Sequence, residues 1–183
     1  MKYLFVSDIH GNVENLEKCF QILAMENANK LILLGDTAAS YSEGDNFLLA
    51  EILNENKEKV EVIRGNCDTS DFEDLLKMEM FDDDILWLGG KLISIEHGHI
   101  HNFYHLPHHC GDIFIQGHTH VPQLIVQGGR ILANPGSVTC PRGTDLRCYL
   151  LVDENAIFLK LFDTNHPQII KKVDINIENI SES

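Results

Sequence analysis

Basic residues are scarce in this sequence. Fourteen lysines and arginines stand against 28 aspartates and glutamates, a formal net charge of −14. Such a surface lacks the basic footprint that duplex nucleic acid and anionic membranes require, so neither is expected as a partner. The same charge raises a question for any anionic substrate, because that substrate would need a local source of positive charge.

Paired cysteines and long apolar runs are also missing. The five cysteines are irregularly spaced and include no Cys-x-x-Cys pair, which argues against a disulfide framework and a zinc knuckle. No apolar run approaches the roughly 18 residues of a membrane span, and the apolar start of the chain is too short for a signal peptide. We therefore expect a cytoplasmic protein without a membrane span.

The pattern of apolar residues predicts one α/β domain over 1–183. The first half alternates strand-like runs with amphipathic segments, and the second half carries two Gly-Gly hairpin signals. The predicted strands cover 2–7, 31–34, 60–63, 85–88, 91–96, 113–116, 124–127, 130–133, 148–152, 156–162 and 172–177. The predicted helices cover about 13–28, 46–57 and 71–78. This order predicts two sheets packed face to face with helices outside.

The end of the first predicted strand carries Asp8 and His10. Two residues apart in extended backbone, their side chains point to the same side. The carboxyl end of a strand in an open α/β sheet is also where ligands bind. Taken alone, an ordinary strand-to-helix turn with Asn12 as the N-cap explains the pattern equally well.

Other strand ends repeat this chemistry beside glycines. The further candidates are Asp36, Asn66, His97, His118 and His120. One such residue is ordinarily part of a turn, but five strand or loop ends that all carry oxygen or nitrogen ligands favour a shared metal site. Mixed His, Asp and Asn ligation suits Mn, Fe, Zn or Co. Two divalent ions would outweigh the charges of Asp8 and Asp36 and supply the positive charge that the surface lacks.

Taken in order, these blocks resemble the motifs of the calcineurin-like metallophosphoesterases. The blocks are Asp8-x-His10-Gly11, Gly35-Asp36, Gly65-Asn66-x-Asp68, His97-Gly98-His99 and Gly117-His118-x-His120. The short chain, Cys67 and the segment Asn134-Pro135-Gly136-Ser137 are most similar to the small YfcE-like phosphodiesterases. The resemblance implies a four-layer α/β/β/α sandwich and a phosphoesterase, with diesters preferred, in which a metal-bridging hydroxide attacks phosphorus.

The resemblance also implies a division of the metal ligands. Asp8, His10 and His120 would hold one ion. Asn66, His97 and His118 would hold the other. Asp36 would bridge the two. Mn²⁺ is the ion expected first, with Fe, Zn, Co and Ni as alternatives.

Further candidates surround this set. Asn66 and His99 are expected to contact a small phosphate ester, and Arg142 either adds charge there or forms a surface salt bridge. Asp68 either orients a ligand or caps the following helix. Many superfamily members have histidine where Cys67 stands, and a thiol is a poor acid at neutral pH. Cys67 is thus either a weak catalytic group or a small packed residue, and esters with poor leaving groups should react slowly.

Two other functions stay open at this stage. One is a non-catalytic protein-interaction scaffold of the same fold, which the intact ligand set disfavours, and the other is a phosphomonoesterase. A homo-oligomer is also left open. The histidine-rich segment 97–109 is expected to be a solvated loop rather than a third metal site.

Overall fold

The computed structural model describes residues 1–39, 43–164 and 166–175, which form three helices and twelve strands. The helices are α1 (Val13–Met25), α2 (Glu43–Glu55) and α3 (Ser70–Glu73). The strands are β1 (Lys2–Val6), β2 (Lys30–Leu34), β3 (Val60–Ile63), β4 (Met80–Phe81), β5 (Asp83–Leu88), β6 (Lys91–Glu96), β7 (Ile113–Ile115), β8 (Gln123–Gln127), β9 (Arg130–Asn134), β10 (Cys148–Asp153), β11 (Ala156–Leu161) and β12 (Ile169–Asp174). None of these helices is long and apolar enough to cross a membrane.

The larger sheet has seven strands in the order β12-β11-β10-β1-β2-β3-β4. Within it β1, β2 and β3 are parallel, with Leu4 opposite Leu31 and Leu31 opposite Val60. α1 and α2 form the crossovers that parallel neighbours require. The carboxyl ends of β1, β2 and β3 therefore lie side by side at one edge.

The smaller sheet has five strands in the order β5-β6-β7-β9-β8. β6, β7 and β9 are parallel, so the chain leaves β6 and β7 at the same edge. The predicted hairpins β5–β6 and β8–β9 are confirmed, and they turn at Gly89-Gly90 and Gly128-Gly129. All four glycines have positive φ, which a type I′ turn requires at both central positions.

Two apolar cores define the layers. The first joins one face of the larger sheet, including Leu31, to the helices through side chains such as Leu16 and Phe72. The second joins the opposite face, including Ile32, to the inner face of the smaller sheet, including Ile113. Successive strand residues point to opposite faces, so Leu31 and Ile32 belong to different cores. The prediction of two packed mixed sheets is confirmed.

The outer side of the smaller sheet differs from the fourth, helical layer that the resemblance implied. All three described helices pack against the larger sheet. The irregular segment 98–112 lies over the smaller sheet instead, where Phe103 packs against Phe114 with ring centroids 6.2 Å apart. The layers of the described residues are therefore helices, sheet, sheet and loop.

α1 and α3 end earlier than predicted, the first for a local reason and the second because of a long-range contact. α1 ends at Met25 rather than near residue 28 because Asn27 takes a left-handed φ of 50°, as in common helix C-terminal motifs. α3 ends at Glu73 rather than near residue 78. Just beyond this end, the Asn54 side chain of α2 donates to the Leu75 carbonyl at 2.9 Å. That side-chain contact replaces continued helical bonding.

The last strand was predicted over 172–177, and the structure places β12 at Ile169–Asp174. Residues 176–177 of that prediction lie outside the described residues. The two-residue strand β4 was not predicted; it pairs with the end of β3, where Ile63 lies opposite Phe81.

Candidate metal centre

The loops that follow β1, β2, β3, β6 and β7 meet at one edge of the two sheets. Each loop carries at least one residue predicted as a metal ligand. In chain order these residues are Asp8, His10, Asp36, Asn66, His97, His118 and His120. Ligand atoms of six of them fall into mutually close groups. The seventh, Asn66, lies within hydrogen-bonding distance of His97.

Asp8, His10 and His120 form the first group. The Nε2 atoms of the two histidines are 3.2 Å apart, and Asp8 Oδ1 lies 3.3 Å from His120 Nε2 and 3.8 Å from His10 Nε2. Two ligand atoms bound about 2.1 Å from one ion in tetrahedral or right-angled geometry are about 3.0–3.4 Å apart. These three side chains are therefore spaced much as ligands of a single ion are.

The second group contains His97, His118 and Asn66, with Asp36 between the groups. His97 Nε2 lies 3.4 Å from Asp36 Oδ1 and 3.2 Å from Asn66 Oδ1. The other oxygen of Asp36, Oδ2, lies 3.9 Å from His10 Nε2. One carboxylate thus presents an oxygen to each group.

A buried oxygen of Asp8 shows that the site fits a cation. Asp8 is fully buried; its Oδ2 accepts the His118 backbone N–H at 3.1 Å, whereas its Oδ1 has no hydrogen-bond donor among the described residues. A buried charge without a partner is costly, and a facing cation removes that cost. Carboxylate, imidazole and amide donors together suit divalent transition ions. The residues present therefore fit a pair of metal ions.

Backbone carbonyls fix the tautomers of two histidines. His97 Nδ1 lies 2.6 Å from the Leu34 carbonyl and His120 Nδ1 lies 2.6 Å from the Cys140 carbonyl. A carbonyl only accepts, so each Nδ1 carries a hydrogen, and the Nε2 lone pair faces the site whenever the ring is neutral. Orientation by a second hydrogen bond is a common property of metal-binding histidines.

The carboxylate between the groups is ionised at neutral pH. Burial opposes the ionisation of Asp36, but the hydrogen bond and charge of His97 and the Cys67 N–H hold its pKa far below the usual value. Burial likewise opposes protonation of His97, yet Asp36 raises the pKa of that imidazole. Burial and the nearby His97 lower the pKa of His118. The centre is therefore prepared to receive positive charge.

The backbone at the ligand candidates is strained. Positive φ values cost a non-glycine residue roughly 1–2 kcal/mol, and strain of this kind concentrates at functional sites. Among the described residues, five of the six non-glycine positions with positive φ are ligand candidates. They are Asp8 (57°), His10 (48°), Asp36 (51°), His118 (64°) and His120 (62°). Hydrogen bonds between loops, such as that from the His10 N–H to the Asp36 carbonyl at 2.8 Å, hold this backbone.

Asp68 joins the loops after β2 and β3. Its Oδ1 accepts the first two N–H groups after Asp36, and its Oδ2 accepts the Gly65 N–H just before Asn66, all at 2.8 Å. The cap of α3 is Thr69, whose hydroxyl accepts a helix N–H. Asp68 therefore holds the loops of Asp36 and Asn66 in place, and it does not cap α3.

Two glycines allow the ligand loops to approach closely. A Cβ at Gly65 would lie 2.2 Å from Asp36 Oδ1, and one at Gly35 would lie 2.5 Å from His97 Nδ1. Neither position has room for a side chain. Both glycines belong to the sequence blocks that carry the ligand candidates.

Sequence analysis assigned no role to the uncharged polar groups of the loop Asn134–Arg142. The buried Ser137 hydroxyl donates to the Asp8 carbonyl at 2.8 Å and accepts the Cys140 N–H at 2.8 Å. The Cys140 carbonyl in turn binds His120. The Asn134 amide donates to the Gly117 carbonyl at 2.7 Å. Apart from Arg142, only the resemblance of its first four residues to a family segment pointed to this loop, because uncharged hydrogen-bonding groups carry no signal in a single sequence.

His99 and Arg142 lie at the exposed rim. The His99 ring is 5.4 Å from that of His97 and 6.4 Å from that of His118, and burial followed by the charge of His97 lowers its pKa. The Arg142 backbone N–H donates to the His120 carbonyl at 3.0 Å. Asp8 raises the pKa of the His120 imidazole, and the Arg142 guanidinium opposes that rise. Among the described residues the Arg142 side chain forms no salt bridge, so the alternative expected for it is absent there.

Cys67 lies beside the centre. Its sulfur is within 4.8 Å of ligand atoms of His10 and Asp36. Burial and the Asp36 carboxylate raise the pKa of the thiol to about 11. Cys67 is therefore a protonated thiol at neutral pH in the metal-free protein, and a weak acid.

The histidine-rich segment forms no third metal group of three ligands in the described part of the chain. His101 binds Glu96 at 3.0 Å and stacks on His105, with ring centroids 5.9 Å apart. His105, His108 and His109 are exposed, as expected for a solvated loop.

Comparison with known proteins places the chain among phosphoesterases. Residues 1–156 match the Calcineurin-like phosphoesterase superfamily domain. The chain is 33% identical over 190 residues to Phosphodiesterase YfcE of Escherichia coli (strain K12), covering 96% of this chain and 99% of that protein. It is 29% identical to the Probable metallophosphoesterase YsnB of Bacillus subtilis (strain 168), covering 89% of this chain and 91% of that protein. The solved structure of the Escherichia coli phosphoesterase YfcE matches with a TM-score of 0.86 and 30% identity over 96% of this chain and all of that one.

Proposed function

This chain belongs to the calcineurin-like phosphoesterase superfamily, and we propose that it hydrolyses phosphodiesters with two divalent metal ions. The observation that carries the proposal is the position of Asp36, whose two oxygens face two separate groups of ligand atoms. The relative named a phosphodiesterase, similar over nearly its whole length, supports the choice of diesters.

The proposed division of ligands follows the two groups. Asp8, His10 and His120 hold one ion, Asn66, His97 and His118 hold the other, and Asp36 bridges them. When bound, such a pair of ions lowers the pKa of a water and neutralises charge on phosphate oxygens. Manganese is the ion we propose first, and Fe, Zn, Co and Ni suit the same donors.

The rim residues are proposed to bind the phosphate. Asn66 and His99 are exposed beside the second group, and Arg142 is exposed beside His120. The Arg142 charge is not neutralised by a carboxylate in the described part of the chain, so it is available to an anion. Together with the ions, these groups offset the repulsion of a chain whose net charge is −14.

Among the described residues at the rim, Cys67 and His99 are poorly suited to protonate a leaving group at neutral pH, because the thiol holds its proton tightly and the imidazole is mostly unprotonated. The pKa of Cys67 is raised to about 11 by burial and by Asp36, and the pKa of His99 is lowered by burial and by His97. Aryl diesters, whose leaving groups need no proton, are therefore expected to react much faster than alkyl diesters. Equal rates for both would contradict this assignment.

Metal analysis and paired substrates test the proposal. We expect the purified, Mn(II)-loaded chain to hold two ions and to cleave a p-nitrophenyl diester faster than the monoester. Asp36→Asn should abolish turnover and lower the bound metal, because one carboxylate serves both ions. Asp82→Asn is the matched control, since Asp82 is an exposed partner of Arg64 outside the ligand groups.

The other outcomes identify the rivals. Metal binding without hydrolysis of either ester would favour a protein-interaction scaffold. Faster monoester cleavage would favour a phosphomonoesterase. Full activity of Asp36→Asn would overturn the bridging role. The exclusion of duplex nucleic acid and the cytoplasmic location stay predictions.

A further inference from the structure

The edge strand β5 leaves large apolar side chains exposed. β5 pairs with β6 on one side and with no other described strand. Ile85 is 49% exposed and Trp87, the only tryptophan of the chain, is 70% exposed. Single exposed apolar residues are ordinary, but an unpaired edge that carries two of them on one face is a template for another strand.

The geometry of the β5–β6 hairpin defines what this edge offers. Leu86 and Leu88 point into the core between the sheets, so Asp83, Ile85 and Trp87 point to the outer face. In a two-residue hairpin the residues that flank the turn form a hydrogen-bonded pair. Residues 84, 86 and 88 therefore bond to β6, and residues 83, 85 and 87 turn their N–H and C=O groups to the free edge.

We propose that a second copy of this chain binds at this edge. The two β5 strands pair antiparallel about a two-fold axis at Leu86, so that Ile85 of each copy lies opposite Trp87 of the other. Both pairs are hydrogen-bonded pairs, because residues 85 and 87 both offer their backbone groups to the edge. The two five-stranded sheets join into one continuous sheet of ten strands.

Charge and apolar pairing together select this register. With the axis at Leu86, Asp83 lies opposite Gly89 and Asp84 lies opposite Leu88, so no carboxylate faces another. An axis at Asp84 keeps the hydrogen-bonding pattern but places two Asp84 carboxylates opposite each other, which destabilises a strand pair. An axis at Ile85 opposes no carboxylates, but it places Trp87 opposite Asp83 instead of Ile85, so the axis at Leu86 is favoured.

A cavity beside β5 complements the tryptophan. It has a volume of about 430 Å³, and its lining includes Ile85, Ile100 and Pro107. Trp87 of the second copy, opposite Ile85 on the same face, lies at the mouth of this cavity. Asp83 is its diagonal neighbour and can accept the indole N–H. The same short segment thus supplies both the protruding ring and the surface that receives it, as a two-fold interface requires.

The net charge of −14 opposes association of two copies at low salt. Salt screens charges more than about 8 Å apart at physiological ionic strength. The paired strand groups and the Ile85–Trp87 contacts are much closer than that. Dimerisation should therefore strengthen as salt is added, whereas an interface held by ion pairs would weaken.

Sedimentation and tryptophan fluorescence of the full chain test the proposal. On dilution the protein should change from dimer to monomer, and the Trp87 emission should shift to longer wavelength and become more accessible to acrylamide. Ile85→Lys should raise the dissociation constant by at least about tenfold, the equivalent of 1.4 kcal/mol. Ile169→Lys is the matched control, since Ile169 is 56% exposed on β12, the edge of the other sheet.

Disulfide trapping tests the register. Leu86 meets its own copy at the axis in a non-hydrogen-bonded pair, where Cα atoms are about 4.5 Å apart and a disulfide can form. Leu86→Cys should therefore form covalent dimers on oxidation, above the background of the wild-type cysteines. Ile85→Cys lies opposite Trp87 and should form fewer. A monomer at every concentration, an oligomer that Ile85→Lys leaves intact, or preferential trapping at residue 85 would overturn the proposal.

Discussion

Replacing Ser137 with alanine tests how much the loop Asn134–Arg142 contributes to the metal centre. The hydroxyl is fully buried, donates to the Asp8 carbonyl and accepts the N–H groups of Thr139 and Cys140. Alanine leaves one acceptor and two donors without this partner. Each buried group left unpaired costs about 1–3 kcal/mol.

The expected loss of unfolding free energy in the metal-free protein is about 2–4 kcal/mol. The sum of three full penalties is not expected, because the two N–H groups are only partly buried and water reaches them. The ion that Asp8 and His120 are proposed to hold should bind about 10–100-fold more weakly, as for other residues that orient metal ligands. The second ion should be affected less, since no hydrogen bond among the described residues joins the side chains of its proposed ligands to this loop.

Urea unfolding of the metal-free protein and calorimetric titration with Mn(II) measure the two effects. Thr144→Ala is the matched control, because it removes an exposed hydroxyl from the adjoining residues, where it accepts only the Leu146 N–H. A loss below about 0.5 kcal/mol, within the range of ordinary surface substitutions, together with unchanged binding of both ions, would refute the reasoning.

Three further predictions concern other parts of the fold. Lys160→Met should cost about 3–5 kcal/mol in urea unfolding, because it leaves Glu26 buried without its cation. Gly65→Ala should lower bound metal at least about tenfold without changing a ligand, since its Cβ would meet the Asp36 carboxylate, the proposed metal bridge. Burial opposes ionisation of Asp163, but Arg147 holds its pKa below the usual value. Asp163→Asn should therefore lower the free energy of unfolding by at most about 1 kcal/mol at pH 7. This difference should vanish as the pH falls through the pKa of Asp163 in the folded protein.

Matched measurements separate these effects from general damage. Gly44→Ala adds a methyl group where no heavy atom lies within 4 Å, so it should leave metal binding unchanged. Glu26→Gln combined with Lys160→Met should recover part of the stability lost in Lys160→Met alone. An Asp163→Asn difference that grew at low pH would contradict the sign of that prediction.

Local patterns predicted most of the secondary structure. Fully apolar runs such as Leu31–Leu34 became buried central strands, and both Gly-Gly pairs became hairpin turns. The predictions were wrong where long-range contacts determine the local structure. At the end of α3, for example, Asn54 of α2 donates to the Leu75 carbonyl. Periodicity predicted no helix after residue 78, and among the described residues none lies over the smaller sheet. The outer helical layer there had been expected from the order of the elements and from the resemblance.

The ligand candidates were visible in the sequence because each one follows a strand and stands near a glycine. Their partners were not visible. Ser137 and Asn134 act through uncharged hydrogen bonds to backbone atoms far away in the chain. Nothing in the local residue pattern distinguishes such groups from ordinary turn residues.

The sequence by itself determined the chemistry of this protein: which donors exist, at which strand ends, and in what order. Only the tertiary structure decided which donors share a site, since His10 and His120 are 110 residues apart yet their nitrogens lie 3.2 Å from each other. That distance depends on two sheets packing through a common core, and on loops whose strained backbone is held by neighbours. The position of Asp36 between the two groups has the same origin.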